Sequence, residues 1–113
     1  MSAHQDLTAA AKNVIENNLD APDLSPELIA RTLKVSLRTL HRHFAKTGEP
    51  VMAFARRRRM QEARDDLVRS KRATAVSEVA ARWRFSDASH FIRSFKSHYG
   101  MTPAAYLRNN GRY

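Results

Sequence analysis

Residues 30–44 have the sequence ARTLKVSLRTLHRHF, and residues 80–95 have the sequence AARWRFSDASHFIRSF. Each stretch begins with an alanine, carries an apolar residue three positions later, and continues with an apolar residue followed by serine. Each ends on the pattern apolar-x-Arg-x-Phe, which contains Arg42 in the first stretch and Arg93 in the second. The second stretch has one additional residue between its serine and this pattern. The two stretches are therefore copies of one structural unit.

Each copy has the pattern of two short helices joined by a tight turn. Its apolar residues recur at three and four positions, the spacing that places side chains on one face of a helix. Two helices arranged in this way form a helix-turn-helix, whose second helix can enter the major groove of DNA. One such unit is a weak indication, because short helix pairs are common in helical proteins. Two copies in a basic chain favour DNA binding.

The chain is strongly basic. Its 113 residues include 20 Lys and Arg against 11 Asp and Glu, a formal net charge of +9 and an isoelectric point near 10.8. Such a surplus favours a polyanionic partner, and nucleic acid is the first candidate. Considered alone, the charge is equally compatible with a solvated basic surface that has no partner.

The composition argues against several protein classes. The absence of cysteine excludes disulfides, zinc–cysteine sites and thiol nucleophiles, and it fits a reducing cytosol. The longest apolar run, Val51 to Ala55, is too short to span a bilayer, and the polar N-terminus does not resemble a signal peptide. We therefore expect a cytoplasmic protein that makes no membrane contact and associates with the nucleoid when it is bound to DNA.

The sequence contains no recognisable catalytic or metal-binding motif. His41 and His43 are two positions apart, so on a helix they point to different sides, which is poor geometry for binding one metal ion. His-Glu-x-x-His, Gly-x-Ser-x-Gly and glycine-rich phosphate loops are all absent. We predict no enzymatic activity, no catalytic residues, no metal and no cofactor.

The apolar periodicity predicts an all-α fold. Three glycines and four prolines leave little room for hairpin turns, and alternation of period two is not sustained. The polar residues 70–74 are expected to end the longest helix, and residues 109–113 to form a frayed tail. The seven predicted helices cover approximately residues 6–19, 26–33, 37–47, 50–70, 76–83, 87–99 and 103–109.

Helix ends are marked by residues that satisfy unpaired backbone groups. Ser25, Ser36 and Ser86 are predicted N-caps, because a serine hydroxyl can accept a hydrogen bond from a free N–H in the first turn. Gly48 and Gly100 are predicted to end the helices that follow the second and third of these caps, since glycine adopts the left-handed conformation easily.

The apolar residues of the longest predicted helix change sides halfway along it. Val51 and Phe54 lie on one side, whereas Met60, Ala63 and Leu67 lie nearly opposite. This pattern predicts a spacer helix with one lobe docked at each end. Within a single 1–113 domain we assign the first helix-turn-helix lobe to residues 7–48, the spacer to 50–70 and the second lobe to 75–109.

The second helix of each unit is predicted to bury one face and to offer the other to DNA. The predicted buried residues are Leu37, Leu40 and Phe44 in one unit and Phe91 and Phe95 in the other. Outward arginines suit DNA recognition because the planar guanidinium matches the O6 and N7 acceptors of guanine. The predicted DNA-binding residues are Ser36, Arg38, Thr39, His41, Arg42, Lys46, Ser86, Ala88, Ser89, His90, Arg93 and Lys96.

Aromatic residues of the second unit allow a different interpretation. Trp83, Phe85, Phe91 and Phe95 could form a platform on which bases of a single strand stack. Their helical spacing favours the protein core instead.

Four consecutive arginines occupy positions 56–59 of the spacer helix. Consecutive helical residues point about 100° apart, so the run does not form one patch. We expect some of these arginines to face Glu62, Asp65 and Asp66 or the ends of the lobes, and one or two to face phosphate.

With both units in view, the chain resembles the DNA-binding domain of AraC/XylS-type bacterial transcription regulators over approximately residues 7–108. The most specific stretch, Arg84 to Pro103, is similar to the family signature Gly-Phe-x-x-x-x-x-Phe-x-Arg-x-Phe-Lys followed by Gly-x-x-Pro. One difference is that Arg84 stands where the family has glycine, in a turn where glycine relieves strain.

The resemblance implies seven helices in two homeodomain-like lobes, joined by a rigid helix, with one recognition helix per lobe in successive major grooves. Family members usually carry a separate sensing or dimerisation domain, so the resemblance implies that this chain is either an excised C-terminal domain, from which that domain is missing, or a rare compact member. RNA polymerase is a candidate second partner. The base-facing positions carried over from the family are Arg38, His41, Arg42, Ala88, Ser89, His90 and Arg93.

The expected function is sequence-specific binding of double-stranded DNA for transcription regulation. Two alternatives are sequence-blind nucleic-acid binding, which would use the same charge, and a helical protein-interaction module for acidic partners. Outward arginines on both repeated helices argue against the interaction module, which has no reason to duplicate them.

Overall fold

The computed structural model describes residues 3–70, 72 and 75–110, and every regular element in this part of the chain is helical. The predicted all-α fold is confirmed. Lys71, Ala73 and Thr74 of the predicted polar stop, and residues 111–113 of the predicted tail, lie outside the described residues. The seven helices described are α1 (Ala3–Asn17), α2 (Pro26–Leu33), α3 (Leu37–Ala45), α4 (Val51–Ser70), α5 (Val76–Arg82), α6 (Ala88–Tyr99) and α7 (Pro103–Asn110).

The first helix begins and ends earlier than the predicted range 6–19. It ends at Asn17 because Asn18 turns the chain, and the Asn18 side-chain amide donates to the carbonyl of Val14 at 2.8 Å. This hydrogen bond satisfies one of the carbonyls that a helix end leaves free. Leu19 lies beyond the helix but is still only 4% exposed, so it belongs to the core.

The third helix ends at Ala45, two residues before the predicted end. The Thr47 hydroxyl donates to the carbonyl of Phe44 at 2.7 Å and satisfies an acceptor in the last turn. Gly48 follows with a φ of 83°, in the left-handed region, where glycine carries no steric penalty. The predicted role of Gly48 as the residue that closes this segment is confirmed.

Most predicted caps are confirmed. The Ser25 hydroxyl accepts from the N–H of Leu28 at 3.1 Å, and the Ser36 hydroxyl accepts from the N–H of Thr39 at 3.0 Å. Gly100 ends α6 with a φ of 81°.

The predicted cap at Ser86 is wrong. Asp87 caps α6, and its carboxylate accepts from the N–H of His90 at 2.7 Å. The additional residue of the second copy explains the difference, because Asp87 has the same spacing from the apolar-x-Arg-x-Phe pattern as Ser36 has in the first copy. A carboxylate is also favoured at the positive end of the helix dipole.

The turns of the two units have the same backbone geometry. Lys34 and Arg84 occupy equivalent positions in the two copies and have φ values of 59° and 68°. A residue with a Cβ atom is destabilised by about 1–2 kcal/mol in this left-handed conformation, whereas glycine is not. In each unit the residue after the turn donates its N–H to the alanine that begins the copy, Val35 to Ala30 at 3.0 Å and Phe85 to Ala80 at 2.9 Å.

Replacing Arg84 by glycine is expected to stabilise the second unit by about 0.5–1 kcal/mol, because glycine relieves the left-handed strain while the unfolded chain gains some freedom. Thermal unfolding measures the difference. Ala81→Gly, at an exposed position inside α5, is the matched control and should destabilise by about 1 kcal/mol. A stabilisation that appears in both variants would mean that the turn geometry is not its source.

The described chain divides into two compact units at the boundary between Arg58 and Arg59. The helix α4 is unbroken from Val51 to Ser70 and contributes to both units. The predicted change of apolar face falls at this boundary, since Val51 and Phe54 are buried before it and Met60 is buried after it.

The core of the first unit contains an unpredicted polar residue. His43 is only 5% exposed, whereas Leu37, which we predicted to be buried, is 38% exposed. Leu40, His43 and Phe44 form the buried face of α3, and the inclusion of His43 rotates this face away from Leu37 at the first helical position. The other buried apolar residues of this unit are Ala11, Ile15, Leu19, Leu24, Ile29, Ala30, Val51, Phe54 and Ala55.

The core of the second unit is aromatic. Phe91 and Phe95 are fully buried, with ring centroids 5.7 Å apart, and Phe85 contacts the Phe91 ring edge-on at 4.9 Å. Trp83 and Phe85 are partly buried against the same cluster. These four aromatic residues pack as core, as their spacing predicts, and do not form an exposed stacking platform.

Two arginines of the run at positions 56–59 form ion pairs with glutamates outside α4. Arg57 binds Glu49 through two hydrogen bonds of 3.0 and 3.1 Å, and Arg58 binds Glu16 through two of 2.7 and 3.0 Å. These two arginines therefore bind glutamates outside α4, whereas our prediction named Glu62, Asp65 and Asp66 or the ends of the lobes for some of the four. These partners are brought within reach by α1, which carries Glu16, and by the segment before α4, which carries Glu49. Hydrogen bonding from Arg57 holds the pKa of Glu49 below its ordinary value.

Candidate nucleic-acid interface

Helix α3 presents a polar face opposite its buried one. Its buried side is formed by Leu40, His43 and Phe44. Of the six residues predicted to bind DNA in this unit, Thr39 is half-buried and five are exposed, namely Ser36, Arg38, His41, Arg42 and Lys46. Lys46 lies just beyond the helix, at its C-cap.

Two of these residues also hold the start of α3. The Ser36 hydroxyl accepts from the N–H of Thr39 at 3.0 Å and donates to the Thr39 hydroxyl at 2.9 Å. The two hydroxyls thus fix the first turn of the helix. Any contact they make with DNA uses the hydrogen-bonding capacity that remains, so their first contribution is to position the outward side chains of α3.

Helix α6 repeats this arrangement in the second unit. Phe91 and Phe95 form its buried side. The His90 ring lies 5.8 Å from the ring of Phe85, which restrains it at the base of the turn. Of the six residues predicted to bind DNA in this unit, Ala88 is half-buried and five are exposed, namely Ser86, Ser89, His90, Arg93 and Lys96.

A concavity of about 420 Å³ lies along α6. Three lining residues, Ser94, Ser97 and His98, are absent from the sequence prediction. The helical spacing could have identified them, because Ser97 is four positions after Arg93 and therefore lies on the same side. The lining is formed by His90, Arg93, Ser94, Ser97 and His98, so hydrogen-bond donors dominate it.

Ile92 is a second omission from the predicted interface. It is 36% exposed, a large fraction for an isoleucine on a packed helix. Superposing the two copies on Arg42 and Arg93 places Ile92 at the position of His41. An alignment of the two copies would therefore have added Ile92 to the predicted interface, because His41 was already in it.

Asp66 of α4 is the centre of a group of hydrogen bonds and ion pairs in the second unit. Asp66 has a side chain only 10% exposed, and it accepts hydrogen bonds from Trp83, Arg82 and Arg69. Burial acts to raise the pKa of Asp66, but these hydrogen bonds outweigh it and the net pKa lies below the ordinary value. Asp66 of α4 therefore connects this helix to Arg82 of α5 and to Trp83, and these hydrogen bonds stabilise the second unit.

The described residues show neither a metal site nor a membrane span. No three His, Asp or Glu side chains in this part of the chain are grouped so that they could hold a metal ion. None of the helices described is both long enough and apolar enough to cross a bilayer.

A family model described as a helix-turn-helix domain matches residues 29–109. Among similar proteins, the transcriptional activator NphR of a Rhodococcus species is 37% identical over 109 residues, which is 96% of this chain and 31% of that protein. A probable thc operon regulatory protein of Rhodococcus erythropolis is 34% identical over 100 residues, which is 87% of this chain and 30% of that protein. The chain thus spans about a third of the length of these relatives.

Solved structures share the fold. A probable AraC family transcriptional regulator from Rhodopseudomonas palustris superposes with a TM-score of 0.80 at 27% identity, over 93% of this chain and 97% of that one. A transcriptional regulator from Chromobacterium violaceum, described by its AraC-type DNA-binding domain, superposes with a TM-score of 0.82 at 25% identity, over 94% and 93% of the two chains. The chain belongs to the AraC-type family of helix-turn-helix regulators, which bind DNA sequence-specifically to control transcription.

Proposed function

We propose that this domain binds its operator through α3 and α6, each lying in a major groove of the duplex. The supporting observation is that the same helix-turn-helix backbone occurs twice. In each unit an exposed arginine, Arg42 or Arg93, stands opposite a buried phenylalanine, Phe44 or Phe95. A recognition helix needs this separation, because one face must anchor it while the other meets the base edges.

The residue roles in this proposal follow from side-chain chemistry. Arg42 and Arg93 contact base edges or phosphate, since arginine forms paired hydrogen bonds to guanine and to phosphate oxygens. Hydroxyls and lysines at the margins are suited to phosphate, which fixes orientation without carrying sequence information. The base-facing group is Arg38, His41, Arg42, Ala88, Ser89, His90 and Arg93, and the marginal group is Ser36, Thr39, Lys46, Ser86 and Lys96.

The two half-sites should differ in sequence. The outward face of α3 carries Arg38, His41 and Arg42, whereas that of α6 carries the small residues Ala88 and Ser89. Different donors favour different base edges, so the operator should be asymmetric rather than palindromic. We expect the half-sites about 10 bp apart, one turn of DNA.

We propose further that the domain is the non-enzymatic DNA-binding part of a longer cytoplasmic regulator. The support is length, because the relatives are about three times as long as this chain. A sensing or dimerisation domain would lie in the remainder. RNA polymerase is the partner that fits an activator such as NphR.

Selection of binding sites from a random DNA pool tests the proposal. We expect an asymmetric consensus that is bound at least about 10³-fold more tightly than random DNA. Recovery of DNA without a consensus would instead support sequence-blind binding. Failure to retain any DNA would support the interaction module for acidic proteins.

Alanine variants then test the residue roles. Arg42→Ala is expected to weaken binding to the selected site by about 1–3 kcal/mol and to relax the sequence preference at one position of its half-site. Thermal unfolding should barely change, because Arg42 is exposed. The matched control is Arg31→Ala, an exposed arginine on α2, which should leave the ratio of specific to non-specific affinity unchanged. Equal ratios for both variants would contradict the assignment of Arg42.

A further inference from the structure

An exposed isoleucine lies on the outward side of the recognition helix α6. Ile92 is 36% exposed. It lies on the same side of α6 as Ser89 and Lys96, at spacings of three and four residues, and it precedes Arg93, which points about 100° away; all three neighbours are exposed. The exposed part of this alkyl group lies among polar and cationic side chains, where a partner that binds this side of the helix can contact it.

The repeat shows what position this residue occupies. The caps Ser36 and Asp87 and the arginines Arg42 and Arg93 are separated by the same number of residues, and this register makes Ile92 the counterpart of His41. At the same place on the recognition helix, the first unit therefore carries an imidazole and the second an aliphatic side chain.

The major groove offers one apolar group to such a side chain. In the major groove the base pairs present hydrogen-bond donors and acceptors, and the one apolar group among them is the C5 methyl group of thymine. We propose that Ile92 contacts the C5 methyl group of a pyrimidine in the second half-site and is a specificity-determining residue. This inference rests on the proposed function, since it requires α6 to lie in the major groove.

A protein partner is a poorer match for the same residue. A protein interface buries a cluster of apolar and aromatic residues and depletes charge at its centre. Ile92 instead has Arg93 beside it and Lys96 one turn away, both exposed. Cationic neighbours favour the phosphates that flank a groove.

Thymine-to-uracil substitution isolates the methyl group. In the site selected from the random pool, each thymine of the second half-site is replaced singly by deoxyuridine, which removes the methyl and leaves the pairing edge intact. We expect one position at which this replacement weakens binding about four-fold, the factor that corresponds to burying one methyl group. Because 5-methylcytosine presents the same methyl, a selected cytosine at that position should instead gain about four-fold on methylation.

Two variants connect this effect to residue 92. Ile92→Ala should bind the thymine and uracil sites equally, whereas Ile92→Val should keep most of the difference. The matched control is Val68→Ala, since Val68 is equally exposed, at 36%, but lies on α4; it should keep the full difference.

The outcomes separate this inference from the proposed function. A consensus site whose affinity never depends on a pyrimidine methyl, or depends on it equally in wild type and Ile92→Ala, would overturn the assignment of Ile92 and leave the proposed function intact. A pool that yields no consensus would overturn both.

Discussion

Replacing Phe95 by alanine should cost about 3–5 kcal/mol of the free energy of unfolding, much of the stability expected for a domain of this size. Phe95 is fully buried, and its ring lies 5.7 Å from Phe91, 4.7 Å from Tyr99 and 5.4 Å from Tyr106. Removing it leaves a cavity among these rings, and the cost of such a cavity adds to the lost burial of the side chain. Denaturant unfolding followed by the fluorescence of Trp83, the chain's one tryptophan, measures the loss.

The opposite face of the same helix provides the control. Arg93→Ala removes an exposed side chain two positions away, so it should change stability by less than about 0.5 kcal/mol while it weakens operator binding. The two variants thus separate folding from recognition on one helix. If Arg93→Ala unfolded the second unit and Phe95→Ala did not, the assignment of the two faces of α6 would be inverted.

The buried faces of the recognition helices can be predicted from the sequence because they depend on local spacing. Leu40 with Phe44, and Phe91 with Phe95, are each four residues apart, and all four are at most 1% exposed. A helix has only one way to place residues at this spacing on a common side. The outward positions follow by exclusion, which is why most predicted interface residues are exposed.

The errors arise where the structure depends on more than local spacing. Leu37 and His43 lie at opposite edges of the buried face of α3. Which of the two side chains is buried depends on how α3 is rotated against its neighbours, and this the local spacing does not determine. Ser86 and Asp87 are adjacent and both suited to capping, so a shift of one residue decides which is used. A comparison of the two copies would have resolved this second case, because it gives Asp87 the position of the first cap.

Ion pairs are the least predictable feature. Arg58 binds Glu16, which is 42 residues away in sequence. No periodic pattern within α4 indicates this partner, because it depends on how α1 packs in the first unit. Exposure of the DNA-binding candidates follows from the fold, whereas their individual contacts with bases and phosphates remain predictions that the alanine variants address.

Replacing Asp66 by asparagine should cost about 2–3 kcal/mol, since the carboxylate accepts hydrogen bonds from Trp83, Arg82 and Arg69, and bonds to a charged acceptor are the stronger kind. An amide cannot accept from all three donors, because its nitrogen has no acceptor capacity. The Trp83 N–H would be the costliest to leave unpaired, as the indole is partly buried against the core. Its fluorescence provides a local measure of the change. The matched control is Asp23→Asn, an exposed aspartate in the loop after α1, with an expected change below about 0.5 kcal/mol.

The stabilisation by Asp66 should also depend on pH. The hydrogen bonds lower its pKa in the folded state below the value of about 3.9 expected in the unfolded chain. A depressed folded-state pKa gives stability that is fully present above the unfolded value and is lost as the pH falls through the folded one. The difference in unfolding free energy between wild type and Asp66→Asn should therefore be constant from pH 7 to about pH 5 and shrink below about pH 4. A difference that stayed constant to the lowest pH at which the protein folds would mean that the charge of Asp66 contributes nothing, and that the asparagine acts only through altered packing.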